Sequence, residues 1–219
     1  MRFIGTILLS TTALLAVGCS QGGEGESAPA EVAATGEPTA AAGMAAGMND
    51  PANPFAQDEM QMQERMMAAN GVNASDAWTR KMIEHHRGAV TMSQTVLGQN
   101  PTPEVRQAAQ MTIDKQTREI ADLEKLVQQG ETSPETGQYL MPVMTRMHEA
   151  MMAAKGANVS ETWMRKMIAH HQGAVDMSDA ILAQGADARI RDKVVKTKED
   201  QQKEIAMLER MLRGEPMRS

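Results

Sequence analysis

Apolar residues recur every three or four positions from about residue 55 towards the C-terminus, and no stretch alternates with the two-residue period of a strand. β-Branched residues are sparse, which also favours helices over strands. One clear apolar stripe on a predicted helix consists of Val105, Ala109, Thr112, Gln116, Ile120, Leu123 and Val127. The pattern predicts an all-α fold in which each helix buries one face.

The helical region consists of two copies of one segment, offset by 85 residues. The pentad Met82-Ile83-Glu84-His85-His86 returns as Met167-Ile168-Ala169-His170-His171. Each copy predicts a short helix followed by two long ones, and the first long helix should begin near Ser75 or Ser160, which are good N-cap residues. Two helical hairpins that cannot bury their apolar faces alone predict one four-helix bundle with two short additional helices.

Residues 1–18 are typical of a bacterial signal peptide. A positive charge precedes an apolar run at 7–17, which is shorter than the roughly 20 residues that a spanning helix needs. Leu15-Ala16-Val17-Gly18-Cys19 resembles a lipobox and implies cleavage before Cys19 and lipidation of its sulphur. A plain signal peptide cleaved nearby is the alternative. Ser20 in place of Asp favours the outer membrane if the cell has two membranes, so we expect a lipid-anchored envelope protein on the periplasmic or extracytoplasmic face.

Three further segments follow the signal peptide. Residues 19–54 are mostly Gly, Ala, Glu, Pro and Ser, with too little apolar surface to offset the entropy of ordering, and predict a flexible, disordered tether. Residues 55–130 form helical repeat 1, and residues 131–214 form helical repeat 2. The two repeats are expected to pack as one bundle.

Composition and charge narrow the chemistry. The lipid uses the single cysteine, Cys19, so neither disulfides nor thiolate ligands are expected. The chain has 21 methionines but only two Phe, two Trp and one Tyr, and its formal net charge is −6. The acidic balance argues against nucleic acid as a partner and mildly favours cations. Any soft metal ligand must therefore be methionine or histidine.

Four of the five histidines lie in the repeated pentads, and each pair is preceded by a methionine one turn earlier. On a helical wheel His86 falls in the middle of the buried stripe, His85 falls on its flank beside Met92, and Met82 reaches both histidines. The flank histidine is therefore expected to meet an incoming ion, and the central one to be structural. The candidate metal ligands in both copies are Met82, His85, His86, Met92, Met167, His170, His171 and Met177.

These ligand types favour a soft metal ion. Thioether sulphur is a soft, neutral donor that favours Cu(I), with Ag(I) as a competitor, and imidazole binds copper in both oxidation states. Met147, His148 and Met151 form a further candidate site, although Gln63 replaces the histidine in copy one. Packing is the alternative for any methionine stripe, because Met is a flexible gap-filler. A solvated face is expected at the basic residues before the pentads, Arg80, Lys81, Arg165 and Lys166.

Two polar positions per copy interrupt the apolar stripe of the last long helix. Gln116 and Gln201 lie in its middle, where a buried amide needs a hydrogen-bond partner, and a ring nitrogen of the nearby central histidine is the natural one. Glu119 and Glu204 follow one turn later. They are candidates to orient the imidazole or to bind the ion.

The motif Met-x-x-His-His-x-x-Ala-x-x-Met, followed on the next helix by Gln-x-x-Glu-Ile, resembles the bacterial domain-of-unknown-function 305 family. The chain carries the motif twice, at 82–92 with 116–120 and at 167–177 with 201–205. The resemblance covers about residues 55–214. It implies a ferritin-like helical bundle and, as for some members, copper binding and copper resistance outside the cytoplasm. No Glu stands three residues before a bundle histidine, so di-iron ferroxidase chemistry is not supported.

The sequence therefore predicts a binding protein rather than an enzyme. The expected cargo is copper, as Cu(I), with Cu(II) and Ag(I) as alternatives, held for sequestration, resistance or delivery, and the expected partners are copper-handling proteins of the envelope. No nucleophile with an adjacent base, phosphate-binding loop or haem-attachment motif is recognisable. Two other classes remain open: a bundle metalloprotein with redox activity, and a structural or interaction module without metal.

Overall fold

The computed structural model describes residues 53–216. Six α-helices follow one another in this range: α1 (Ala56–Ala68), α2 (Ala74–Gly98), α3 (Pro103–Glu124), α4 (Met141–Ala153), α5 (Val159–Gln184) and α6 (Ala188–Leu212). A 3₁₀ helix at Pro134–Leu140 precedes α4. Extended pairing among the described residues is limited to one isolated bridge between Gly71 and Ser133, so the all-α prediction is confirmed.

The predicted signal peptide, Cys19 and nearly all of the predicted tether lie outside the described residues. Among residues 53–216, no helix combines the length and apolar character needed to cross a bilayer.

The duplication is visible in the helix boundaries. The first residues of equivalent helices, Ala56 and Met141, Ala74 and Val159, and Pro103 and Ala188, are each 85 positions apart. Each copy consists of a short helix followed by a hairpin of two long helices, as the apolar pattern predicted.

The bundle is built around α2 and α5, which pack against each other at its centre. Each short helix packs on the first long helix of its own repeat, α1 on α2 and α4 on α5. The last helices, α3 and α6, also pack on their own hairpin partners but not closely on each other. Long side chains bridge the gap between them, for example Lys193 to Asp122 at 3.7 Å. The bundle is therefore closed along α2 and α5 and open along a groove between α3 and α6.

The starts of the long helices differ from the prediction. The N-cap residues are Asn73 and Asn158, whose side chains accept hydrogen bonds from backbone amides three residues later. Ser75 is the second residue of α2, and its Oγ accepts a hydrogen bond from the Asp187 amide of the other repeat at 2.9 Å. Ser160 accepts reciprocally from the Thr102 amide, also at 2.9 Å. The serines therefore join the repeats instead of capping their own helices.

Two lysines expected on a solvated face are buried. Lys81 donates a hydrogen bond to the Met66 carbonyl oxygen and Lys166 to the Met151 carbonyl oxygen, each at 2.7 Å. Both carbonyls lie in the last turn of a short helix, where backbone oxygens lack partners within the helix. Lys166 also forms an ion pair of 2.6 Å with buried Glu59 on α1. The lysines are therefore helix-capping groups between elements.

Buried methionines fill most of the space between the helices. They are Met62, Met66, Met82, Met92, Met144, Met147, Met151, Met164, Met167 and Met177. Two of them explain a repeated glycine: a Cβ atom at Gly88 would overlap the Sδ of Met62, and one at Gly173 would overlap the Sδ of Met147. Each short helix thus approaches its long helix closely because that helix carries no side chain at the contact.

Substitution of Gly88 by alanine is expected to destabilise the protein. The new methyl group overlaps Met62 Sδ and Cγ, and overpacking of this kind destabilises by about 1–3 kcal/mol. Gly98 on the same helix is the matched control, because a Cβ there meets open space. G98A should be neutral or stabilising by up to about 1 kcal/mol, since alanine is the better helix former. Free energies of unfolding from urea titrations give the comparison, and G88A as stable as G98A would contradict the packing described.

Candidate functional site

His85 and His170 form a reciprocal pair at the centre of the bundle. The Nε2 of His85 lies 2.9 Å from the backbone oxygen of His170, and the Nε2 of His170 lies 3.0 Å from the backbone oxygen of His85. The two rings stack with centroids 3.6 Å apart. A carbonyl oxygen only accepts, so each Nε2 must carry its proton and each Nδ1 a lone pair. Neither Nδ1 has a hydrogen-bond partner.

Two further imidazoles extend this pair into a row of four. The ring centroids of His85 and His86 are 5.8 Å apart, and those of His170 and His171 are 5.6 Å apart. All four side chains are buried. Burial lowers the pKa of every one of them from the ordinary 6.5, and lowers that of His85 to about 3. The four rings are therefore neutral near pH 7, which is the form of histidine that binds metal ions.

A glutamate of the last helix in each repeat faces the outer histidine. Glu119 Oε2 lies 3.3 Å from His86 Nε2, and Glu204 Oε2 lies 3.4 Å from His171 Nε2. Burial raises the pKa of Glu119 to about 7, against the opposing effect of Lys115. The ammonium of Lys115 lies 2.7 Å from Glu204 Oε1 and 3.9 Å from Glu119 Oε1. We call this set of neighbouring polar side chains the histidine ring. It consists of the four histidines, the two glutamates and Lys115, each beside the next.

Several polar atoms of the ring region are buried without hydrogen-bond partners. Both amide atoms of Gln116 and of Gln201 are in this state, as are both ring nitrogens of His86. Burial lowers the pKa of His171 and Gln201 opposes this shift, but the Gln201 amide atoms do not reach hydrogen-bond geometry. Buried polar atoms are nearly always paired in folded proteins. Their concentration here marks a place where donor atoms are available to a ligand.

The structure places the flank histidines, His85 and His170, at the interface between the repeats, which the sequence did not predict. The flank of α2 that carries His85 faces α5, so His85 and His170 lie at the repeat interface with Nε2 already hydrogen-bonded. His86 and His171 instead face the glutamates of α3 and α6. A helical wheel could not show this, because it gives the face of a residue but not the helix that covers it.

The candidate methionines are placed unequally. Met82, Met92, Met167 and Met177 are buried on the same helices as the histidines. In the second short helix, Met147 packs its Sδ over Gly173, and Met151 is buried in the core. His148 is half-buried and lies near Glu59 rather than in the ring. Their use as metal ligands stays a prediction.

No three His, Cys, Asp or Glu side chains among residues 53–216 converge on one point that could hold a metal ion. The ring contains two His–Glu pairs, one from each repeat, and the Lys115 ammonium lies between their carboxylates. Lys115 was not predicted as part of the site. The sequence feature that could have identified it is a difference between the copies, since the equivalent residue is Asp200.

The groove between α3 and α6 reaches the ring from outside. Its volume is about 1140 Å³, and its lining includes Met111, Lys115, Arg118, Glu204, Met207 and Arg210. The Met111 side chain is 46% exposed in this lining. Lys115 and Glu204 belong both to the groove and to the ring, so the groove meets the ring at these two side chains.

The fold and site define a duplicated helical bundle with a buried histidine ring between its repeats. The family model described as "Domain of unknown function (DUF305)" matches residues 20–127 and 125–212. The chain therefore belongs to this family, with two tandem copies, as the repeated motif predicted. Neither the curated proteins nor the solved structures contain a match to it.

Lowering the pH from about 7 to about 5 is expected to destabilise the metal-free protein. The unfolded chain takes up protons near pH 6.5, whereas the four ring histidines have lowered pKa values in the folded protein. Because the folded protein disfavours protonation of these rings, its stability decreases as the pH falls below 6.5, by up to about 1.4 kcal/mol per pH unit for each histidine that stays neutral in the folded state. Glu119, with its pKa raised from 4.5 to about 7, acts oppositely in this range and offsets about one histidine.

Urea unfolding at about pH 7, 6 and 5, with a chelator present, measures this dependence. The double variant H86Q/H171Q removes two titrating groups and should show a distinctly shallower loss. A free energy of unfolding that stays constant over the range would contradict the neutral, buried state of the ring.

Proposed function

We propose that this protein binds copper at the histidine ring. The observation that carries the proposal is the set of neutral imidazoles and amides buried there with unpartnered donor atoms. His86 and His171 are the proposed nitrogen ligands, because they face the glutamates of α3 and α6. His85 and His170 are further candidates through Nδ1, because their Nε2–H groups donate to backbone oxygens and leave the Nδ1 lone pair free. Glu119 and Glu204 supply oxygen beside His86 and His171.

The donor types fit copper better than a hard ion. Imidazole binds copper in both oxidation states, and the carboxylates add affinity for Cu(II). Soft thioethers suit Cu(I) and Ag(I), and Met82, Met92, Met167 and Met177 are buried on the same two helices as the histidines. Because no cysteine occurs among residues 53–216, thioether sulphur is the soft donor available within the bundle.

The physiological role that fits such a site is sequestration or delivery rather than catalysis. A site enclosed between two repeats keeps a bound ion away from bulk water, and the groove between α3 and α6 offers exchange with a partner. The lipobox-like segment ending at Cys19 supports a lipid-anchored envelope location. These two features together support the proposed role in copper resistance outside the cytoplasm, with copper-handling proteins as donors or acceptors.

A structural role without metal is the second candidate. The reciprocal bonds of His85 and His170 favour it, since they join the two repeats whether or not an ion is bound. The two candidate functions make different predictions for His86 and His171, which make no such bonds to backbone oxygens. Copper binding requires them as ligands, whereas a structural role does not.

Titration of the purified protein with Cu(I), Ag(I), Cu(II) and Zn(II) tests the proposal. The protein should bind copper with a submicromolar dissociation constant, and H86Q/H171Q should weaken that affinity by about 100-fold or more, since even groups that only support ligands contribute about 10–100-fold. H148Q reports separately on the further candidate site of Met147, His148 and Met151, and it should bind copper as the parent does if the ring holds the ion.

Two results would count against copper binding at the ring. If H86Q/H171Q binds copper as tightly as the parent, the ligands lie elsewhere. If the parent binds none of the four ions below micromolar concentration, the structural role is favoured.

A further inference from the structure

Lys115 is the one cation of the histidine ring, and its ammonium lies where two carboxylates face each other across the groove. It is 2.7 Å from Glu204 Oε1, 3.9 Å from Glu119 Oε1 and 3.8 Å from Asp200 Oδ2. It thus contacts carboxylates from both repeats. Two His–Glu pairs that could otherwise share an ion have a tethered positive charge between them.

The duplication makes this lysine conspicuous. The histidines, glutamines and glutamates of the ring occur in both copies, but the residue before the glutamine is Lys115 in one copy and Asp200 in the other. Asp200 pairs with two further lysines at the surface, Lys196 at 2.8 Å and Lys203 at 3.6 Å. Among the described residues, Lys115 is therefore the one ammonium within 4 Å of both Glu119 and Glu204, and Lys193 acts on Glu119 and His86 from further away.

The residues around Lys115 include nitrogen-bearing side chains as well as carboxylates. His86 is buried with both ring nitrogens unpartnered, and its Nε2 lies 3.3 Å from Glu119. The buried amide of Gln116, adjacent to Lys115 in sequence, also has no hydrogen-bond partner. Nitrogen and oxygen donors are thus present on the inner side of the carboxylates.

We propose that Lys115 is a built-in cation that determines which ions the ring accepts. This inference rests on the proposed function of the ring. Electrostatic repulsion is proportional to the charge of the incoming ion, so a tethered ammonium that remains beside the site opposes a divalent ion twice as strongly as a monovalent ion at the same distance. Lys115 therefore favours Cu(I) and Ag(I) over Zn(II), Co(II) and Cu(II).

Lys115 can also leave the carboxylates when an ion displaces it. Its side chain is 31% exposed, and it lines the groove of about 1140 Å³ between α3 and α6. Lysine has a flexible stem and a strongly hydrated head group, so the ammonium can move into the groove. A bound ion then takes its place between Glu119 and Glu204.

Neutralisation of Lys115 tests the proposal. In K115Q, affinity for Zn(II) and Co(II) should increase about tenfold or more, whereas affinity for Ag(I) should increase by about the square root of that factor. Calorimetric titration of the full chain measures all three ions, and the visible absorption of Co(II) reports whether nitrogen and oxygen ligands surround it.

K203Q and K115R are the matched controls. K203Q removes one positive charge from the same groove, at a residue that contacts Asp200 but not the glutamates, and should change the affinities less than about twofold. K115R keeps the positive charge and should retain the discrimination of the parent. Thermal unfolding of each variant checks that it is folded.

The proposal is overturned if K115Q gains no more divalent affinity than K203Q, or if K115R shows the same gain as K115Q. It is also overturned if K115Q binds divalent ions more weakly, because Lys115 would then only hold α3 and α6 together. Failure of the copper proposal has a different signature. In that case the parent binds no copper, but K115Q still acquires Zn(II) and Co(II).

Discussion

The reciprocal hydrogen bonds between His85 and His170 are the interaction on which the rest of the structure depends. Each buried imidazole donates to the backbone of the other repeat, at 2.9 and 3.0 Å, and so fixes α2 against α5. Because a charged imidazole would be unfavourable in this apolar interior, the bonds also require neutral rings. His86 and His171 are the next residues along their helices, so they point away from the interface and towards the glutamates of the outer helices. In each repeat the first histidine of the pair thus joins the two repeats, and the second faces a glutamate.

Because the repeats are duplicated, the contacts between them occur in symmetric pairs. A few charged residues occur in only one copy and break this symmetry. Ser75 and Ser160 bond the opposite repeats in the same way, as His85 and His170 do. The copies differ at Glu59, which pairs with Lys166 and whose equivalent is Met144, and at Lys115, whose equivalent is Asp200. These differences place single charges where a perfect repeat would have matched pairs. The charge of Glu59 lies on the first short helix, and the charge of Lys115 lies in the proposed ion path.

Much of the fold could be predicted from the sequence because it depends on local periodicity and on an intact repeat. The helices, their order and the family followed from the apolar spacing and the motif. The contacts between repeats could not be predicted in this way, since helical spacing does not identify the facing helix. The position of His85 and His170 between the repeats was not predicted for this reason. The burial of Lys81 and Lys166 was missed because their carbonyl partners belong to helices 15 residues earlier.

The most direct test is to observe the protonation state of the ring histidines in the metal-free protein. Nitrogen-15 correlation spectra of histidine side chains, recorded at about pH 6, distinguish the neutral tautomers from the doubly protonated ring. We predict that His85 and His170 are neutral, with the proton on Nε2, and that added copper shifts the ring nitrogens of His86 and His171 while leaving that tautomer in place. Doubly protonated rings, or a proton on Nδ1 of His85 and His170, would contradict the reciprocal bonds and the site built on them.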